Sequence, residues 1–438
     1  MKKRILFLSV LMAVLFVFCS CSAEKADIYY LNFKPETASV YNEIAAAYKE
    51  ETGIDLRVVT AASGTYEQTL KSEMSKNEAP TIFQINGPKG YDAWKDYCLD
   101  LKDTDLYKHL TDKDAAIKEG ESVYGIPYVV EGYGIIYNEE ITDKYFSLEN
   151  RATDIQSMDE VRSFEALKAV VEDMTAHKAE LGIEGVFGVT SLKSGEDWRW
   201  HTHLANLPVY YEFAEKGIEW TADKGTDTID FKYAENFKNI FDLYIYNSTV
   251  SPKLLGSYQV ADSMAEFALG KCAMIQNGNW AYSQIKDVSG NTVKTDKIKY
   301  LPIYTGIPGE ENQGLAIGTE NYIAINKNAT EEEQKMAADF LYWLYSSERG
   351  KEFVTEKLDY IAPFDTFGEN DLVKDPLGGE VGKWMAKEGV TSVPWAFTVF
   401  PGQNFKNDFG AALLRYCQGT VTWDEVVNTM KTRWAEEA

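Results

Sequence analysis

The stretch 28–86, IYYLNFKPETASVYNEIAAAYKEETGIDLRVVTAASGTYEQTLKSEMSKNEAPTIFQIN, decides the fold. It opens on a short apolar, aromatic-rich run, IYYLNF. A helical pattern follows, with Tyr41, Ile44, Ala45 and Tyr48 on one face and Gly53 as its stop. In IDLRVVTA, Ile54, Leu56 and Val58 alternate as in a strand. TYEQTLKSEMSK then reads as helix, and TIFQIN, after Pro80, as strand. The order strand, helix, strand, helix, strand is that of an α/β sheet with helices on its faces. Sites in such sheets lie at the carboxyl ends of the strands, here at residues 32–36, 61–66 and 85–90.

Upstream lies a leader. Lys2, Lys3 and Arg4 precede an unbroken apolar run from Ile5 to Phe18, then Cys19, Ser20 and Cys21. The run is shorter than the roughly 20 residues a spanning helix needs and has the form of a secretory signal peptide. Downstream, a second α/β cycle begins near residue 130. YGIPYVVEGYGIIYN reads as strand, turn and strand, and a long helix is expected over 164–181. The strand GVFGVTSL, the aromatic helix WRWHTHLANL, helices over FKNIFDLYIYN and ADSMAEFALG, and the strand-to-turn segment KCAMIQNGNW come next. GLAIGTENYIAINK looks like two short strands, and Thr330 with Glu333 forms a capping box opening a helix to Ser347.

The chain of 438 residues carries a net charge of −24, which loss of the three leader cations takes to −27. Nucleic acid and anionic membrane surfaces, which need clustered Lys and Arg, are poor partners for it. Its 10 Trp, 27 Tyr and 21 Phe supply many flat faces for a core or a sugar site. Beyond the leader, Cys98, Cys272 and Cys417 are an odd number without C-x-x-C spacing, which argues against a disulfide framework. His201 and His203 form an H-x-H without an evident third metal ligand. No G-x-x-x-x-G-K-[ST] string is present for a nucleotide, and no cofactor is expected.

Three strings carry a resemblance: YVVEGYGIIYN (128–138), MIQNGNWAYSQI (274–285) and IGTENYIAINKNATEEEQKMAADFLYWLYSSERGKEFV (317–354). In order and spacing, over most of 26–420, they resemble the extracellular solute-binding proteins of carbohydrate ABC importers, the maltose-binding-protein-like group. The Ser20-Cys21 end of the leader resembles a lipobox, with Phe18 where that pattern usually has Leu. The resemblance implies an α/β, two-lobed periplasmic-binding-protein-like fold with a hinge and an interlobe ligand cleft. It implies a signal peptide over 1–20 and lipidation at Cys21, with 21–27 as a linker. The first lobe would be formed by 28–130 with about 301–350, and the second by about 131–300 with 351–438.

Under that resemblance a monomer at the outer face of the bacterial cytoplasmic membrane, or in the periplasm, would capture a sugar, with an oligosaccharide favoured. It would pass the sugar to ABC permease subunits without catalysis. A sugar needs carboxylates and amides for its hydroxyls and aromatic planes for its ring faces. Glu131 matches a sugar-binding glutamate of the family and Trp280 a stacking tryptophan, with Tyr133 beside the former. Lys34, Glu36, Tyr66 and Asn86 stand in the first-lobe loops. Trp198 and Trp200, two apart on a helix, cannot share a face, so one is expected in the cleft and one in the core. Asp197 and Arg199 beside them could supply polar contacts. Trp395 and Phe400 are expected to close the far side. The alternatives are the same fold holding a polyamine or peptide, and an extracellular glycoside hydrolase, for which no second carboxylate stands out beside Glu131.

Overall fold

The computed structural model describes residues 25–219 and 225–438. The leader and Cys21 lie outside the described residues. Among those residues, no helix is long and apolar enough to cross a membrane.

Strands β1 (Ile28–Asn32), β2 (Leu56–Thr60) and β3 (Ile82–Asn86) form where the opening stretch places them, and β1 pairs in parallel with both others. Parallel pairing requires a crossover back to the same end of the sheet, and helices Ala38–Thr52 and Tyr66–Met74 make those returns. The first buries Tyr41, Ile44, Ala47 and Tyr48 and stops at Gly53, whose φ of 78° is left-handed. β1 lies inside the sheet and is buried throughout, which is why it reads as a continuous apolar run. β2 is an edge strand and alternates. The sheet is completed by β4 (Ile117–Glu119), β5 (Ser122–Pro127) and β11 (Asn321–Ile325), in the order β2-β1-β3-β11-β5-β4.

A second sheet is built around β6 (Glu131–Asn138), whose eight residues are all buried. One edge of β6 pairs with β8 (Cys272–Gly278), and β8 with β7 (Gly185–Phe187). Its other edge is shared: β10 (Gln313–Gly318) pairs with residues 131–133 and β9 (Ile298–Leu301) with 135–138, while β12 (Thr391–Pro394) flanks β10. The buried apolar side chains of the two sheets form separate clusters. Ile28, Tyr30, Tyr41, Phe340 and Val354 belong to the first unit, and Ile135, Val170, Trp200, Phe237 and Trp434 to the second. These two cores are the two lobes.

The chain passes between the units at two adjacent points, 128–130 and Thr319–Glu320, and a third time between Phe364 and Leu377. Thr319 Oγ1 donates to Val129 O at 2.7 Å, tying the two passages together, and Val130 N donates to Ile361 O at 2.8 Å. The boundaries expected near 301 and 350 are corrected here. Residues 301–318 stay with the second unit, because β10 completes the edge of β6. GLAIG and NYIAI are therefore not partners but strands of different sheets, joined by an extended link. Residues beyond 350 remain with the first unit as far as Phe364, because Phe353, Val354, Leu358, Tyr360 and Phe364 bury against its core. The capping box of Thr330 and Glu333 is present on helix Glu331–Ser346. Cys98, Cys272 and Cys417 are buried free thiols.

Thr319→Val removes the tie between the passages and leaves the Val129 carbonyl without that donor. A loss of about 1 kcal/mol of stability is expected in urea unfolding.

Candidate functional site

The carboxyl ends of β1, β2 and β3 open on a cavity of about 470 Å³ between the two units. From β1 come Phe33, Lys34 and Glu36, from the end of β2 Ser63, Gly64 and Tyr66, and from β3 Asn86. The backbone there is fixed by buried Asn32, whose Nδ2 donates to Lys34 O at 2.9 Å. Tyr66 presents its ring, while its hydroxyl donates to Gln84 O at 3.0 Å and accepts from Gln84 N at 2.7 Å. Asn86 accepts from Asn321 Nδ2 at 2.7 Å, which leaves its own amide nitrogen for the cavity.

Across the floor, Lys34 Nζ donates to Glu131 Oε1 at 2.7 Å. Lys34 is 5 % exposed and Glu131 2 %, so this ion pair is buried, and it joins the two lobes. Burial works against the Lys34 charge, but the carboxylates of Glu131 and Glu36 more than offset it and hold the ammonium above the usual lysine range. Neither residue could be left alone here, since an unpaired buried charge costs several kcal/mol.

The second unit supplies an aromatic corner. Trp198 and Trp280 meet with ring centroids 5.8 Å apart at 47°, both half-buried. Trp280 caps the short helix Ala281–Lys286 after β8, and its ring folds back over Gly278. A Cβ on Gly278 would lie 2.1 Å from the indole Cζ3, so only glycine permits this position. Trp198 precedes a π-helical turn, Arg199–Leu204. The Arg199 guanidinium lies 3.9 Å from the Trp198 ring centroid, while its Nε donates to Asn277 Oδ1 at 3.1 Å.

Behind the corner sits His203, with Tyr133 and Trp198 at 4.8 Å, Trp395 at 5.2 Å and Phe397 at 4.4 Å between centroids. Burial and the nearby Arg199 keep its imidazole neutral. His201 is also buried, and the described residues hold no group of three or more His, Cys, Asp or Glu placed for a metal.

Of the residues expected at the site, Lys34, Glu36, Tyr66, Asn86, Glu131, Trp198 and Trp280 line the cavity. Three do not. Trp200 lies wholly in the second core, its Nε1 donating to Thr190 O and Ser191 O at 3.2 and 3.0 Å. Tyr133 and Trp395 stand one layer back, 6.2 and 6.4 Å from the Trp280 ring. Their position on the far side of that ring supports it rather than facing the open space. Phe400 is likewise core, 5.0 Å from Trp434.

Glu67, Glu196, Gln284, Glu320, Gln403 and Lys406 also line the cavity and were not anticipated. The signal for Glu320 was available: like Glu131, it is an acid set between apolar strands where the chain changes sheets. Lys406, on helix Gln403–Cys417, left no such mark. The rims of the cavity close on glycines. Ser63 Oγ donates to Gly195 O at 3.3 Å, and a Cβ on Gly64 would lie 2.7 Å from Gly195 Cα.

The family model of the bacterial extracellular solute-binding proteins matches residues 43–377. No curated protein matches the sequence. Among solved structures, a chitin oligosaccharide binding protein has a TM-score of 0.69 at 20% identity, covering 94% of this chain and 98% of its own. RafE in complex with raffinose has a TM-score of 0.69 at 16%, covering 93% and 98%. Maltose-bound MalE3 of T. maritima has a TM-score of 0.68 at 14%, again covering 93% and 98%. At these identities the likeness is one of fold.

Lys34→Met is expected to destabilise the protein by about 3 kcal/mol in urea unfolding, because it leaves Glu131 buried and unpaired. The double variant Lys34→Met/Glu131→Leu is expected to recover most of that loss. Trp200→Ala should cost about 4 kcal/mol, as a core cavity does.

Proposed function

The chain belongs to the bacterial extracellular solute-binding proteins, and from that membership we propose that it captures an oligosaccharide between its lobes and delivers it to the permease of an ABC importer. The observation that carries the sugar is the Trp198–Trp280 corner facing carboxylates across one enclosed space. Pyranose rings present C–H groups to aromatic faces and hydroxyls around their edges, and the cavity offers a surface for each. Solved structures of this fold include RafE in complex with raffinose, maltose-bound MalE3 and a chitin oligosaccharide binding protein, which supports the same class of ligand here.

The protein acts without catalysis of its own. Closure is the working step. A sugar held by both lobes binds the closed arrangement better than the open one and shifts the equilibrium by that difference in affinity. The passages at 128–130, at 319–320 and between Phe364 and Leu377 are the hinge about which the lobes move. The Ser63–Gly195 contact is a rim that forms on closing. Cys21, whose thiol receives its lipid before the leader is cleaved from it, anchors the receptor at the outer face of the cytoplasmic membrane as a monomer.

The test is thermal unfolding of residues 22–438 with mono- and oligosaccharides, polyamines and peptides, since a ligand that binds only the native state raises the midpoint. An oligosaccharide series is expected to raise it without being hydrolysed. A shift with polyamines or peptides alone would overturn the sugar reading. Trp280→Ala is expected to weaken the sugar that binds by at least about fivefold in calorimetry.

A further inference from the structure

Most charged groups in the cavity wall already have partners. Lys34 pairs with Glu131, Glu67 accepts from Trp94 Nε1 at 3.1 Å, Glu196 accepts from Val260 N at 3.0 Å, and Arg199 is held by Asn277. Among the described residues, Glu36, Glu320 and Lys406 are without such a partner, and of these Glu320 and Lys406 are oppositely charged groups that act on each other. Both line the cavity and both are half-buried, yet among the described residues neither side chain has a hydrogen-bond or ion-pair partner. They come from different places, Glu320 from the link between β10 and β11 and Lys406 from the first turn of helix Gln403–Cys417. They sense each other's charge across the space without touching.

A hydroxyl group can satisfy both at once, because it donates to a carboxylate and accepts from an ammonium. We propose that Glu320 and Lys406 are specificity residues that read hydroxyls of the sugar, with one hydroxyl donating to Glu320 and another accepting from Lys406. This rests on the sugar reading above and adds to it a named contact and a proton balance.

The proton balance follows from the surroundings. Burial pushes the Glu320 carboxyl up to about 7, against the nearby Lys34 and Lys406 cations and with the Glu131 and Glu36 carboxylates. Burial lowers the Lys406 ammonium, against the pull of Glu320 and Glu67. Sugar hydroxyls donating to Glu320 favour its ionised form, so below about pH 7 capture expels the Glu320 proton to solvent, and affinity falls as the pH drops through that range. The Glu320→Gln variant, which has no such proton to lose, identifies the released proton as that of Glu320.

The experiment is calorimetry with maltotriose, raffinose, xylotriose and chitotriose at about pH 6 in two buffers of different ionisation enthalpy, repeated at about pH 8. For whichever sugar binds, the wild type is expected to release most of one proton at the lower pH and to bind about tenfold more tightly at the higher one. Glu320→Gln is expected to release none and to bind equally at both. Lys406→Met is expected to bind at least about fivefold more weakly. The thermal midpoint of each variant, measured without sugar, shows that it is folded. Sugar binding with no proton release, or with Glu320→Gln behaving as wild type, overturns this assignment and leaves the sugar reading intact. Failure of all four sugars to bind overturns both.

Discussion

The buried pair of Lys34 and Glu131 is the contact on which the rest of the site depends. Lys34 leaves the end of β1 in one lobe, and Glu131 begins β6 in the other, 2.7 Å away. Such a pair is tolerated inside a protein only when both charges are present and well placed. The pair therefore fixes how the two floors meet. That in turn sets where the three strand ends of the first lobe stand against the aromatic corner of the second. The Lys34 ammonium also lies 5.5 Å from the Trp280 ring centroid, so the same cation helps set the wall on which a sugar would stack.

The aromatic wall is held from behind by packing. His203, kept neutral by burial, touches Tyr133, Trp198, Trp395 and Phe397, and its ring contact with Trp280 spans 5.7 Å. Few rotamers are open to Trp280 between that layer and Gly278, and a rigid indole loses little conformational entropy when a ligand stacks on it. The opposite wall is made of loops at strand ends and is polar apart from the rings of Phe33 and Tyr66. The cavity thus pairs one pre-set apolar surface with one of carboxylates, amides and an ammonium.

Much of this could be read in the residues. The alternation of strand and helix in 28–86 gave the parallel core of the first lobe, and the strand-end rule pointed to the loops that line the cavity. Trp280 was legible because Gly278 and Asn279 before it mark a turn out of an apolar strand. Tyr133 and Trp395 were placed too far forward. They are close to the site in sequence and in space, but one packing layer separates them from it, and local pattern carries no information about layers. The family resemblance found the order of the elements, and the match over 43–377 agrees with it.

The sequence by itself determined the α/β class, the two cycles of strands and helices, the kinds of side chain at the strand ends and the family. These rest on periodicity, turn chemistry and motif order, which act over a few residues. Only the tertiary structure decided that Trp198 faces the cavity while Trp200 is core, because a π-helical turn sets their directions and long-range packing chooses between them. It alone assigned 301–318 to the second sheet, since the partner of β10 is β6, well over a hundred residues away in sequence. It alone brought Glu320 and Lys406 to one space. Pairing of distant strands and burial of distant charges are decided by the whole chain folding at once, and no local stretch encodes them.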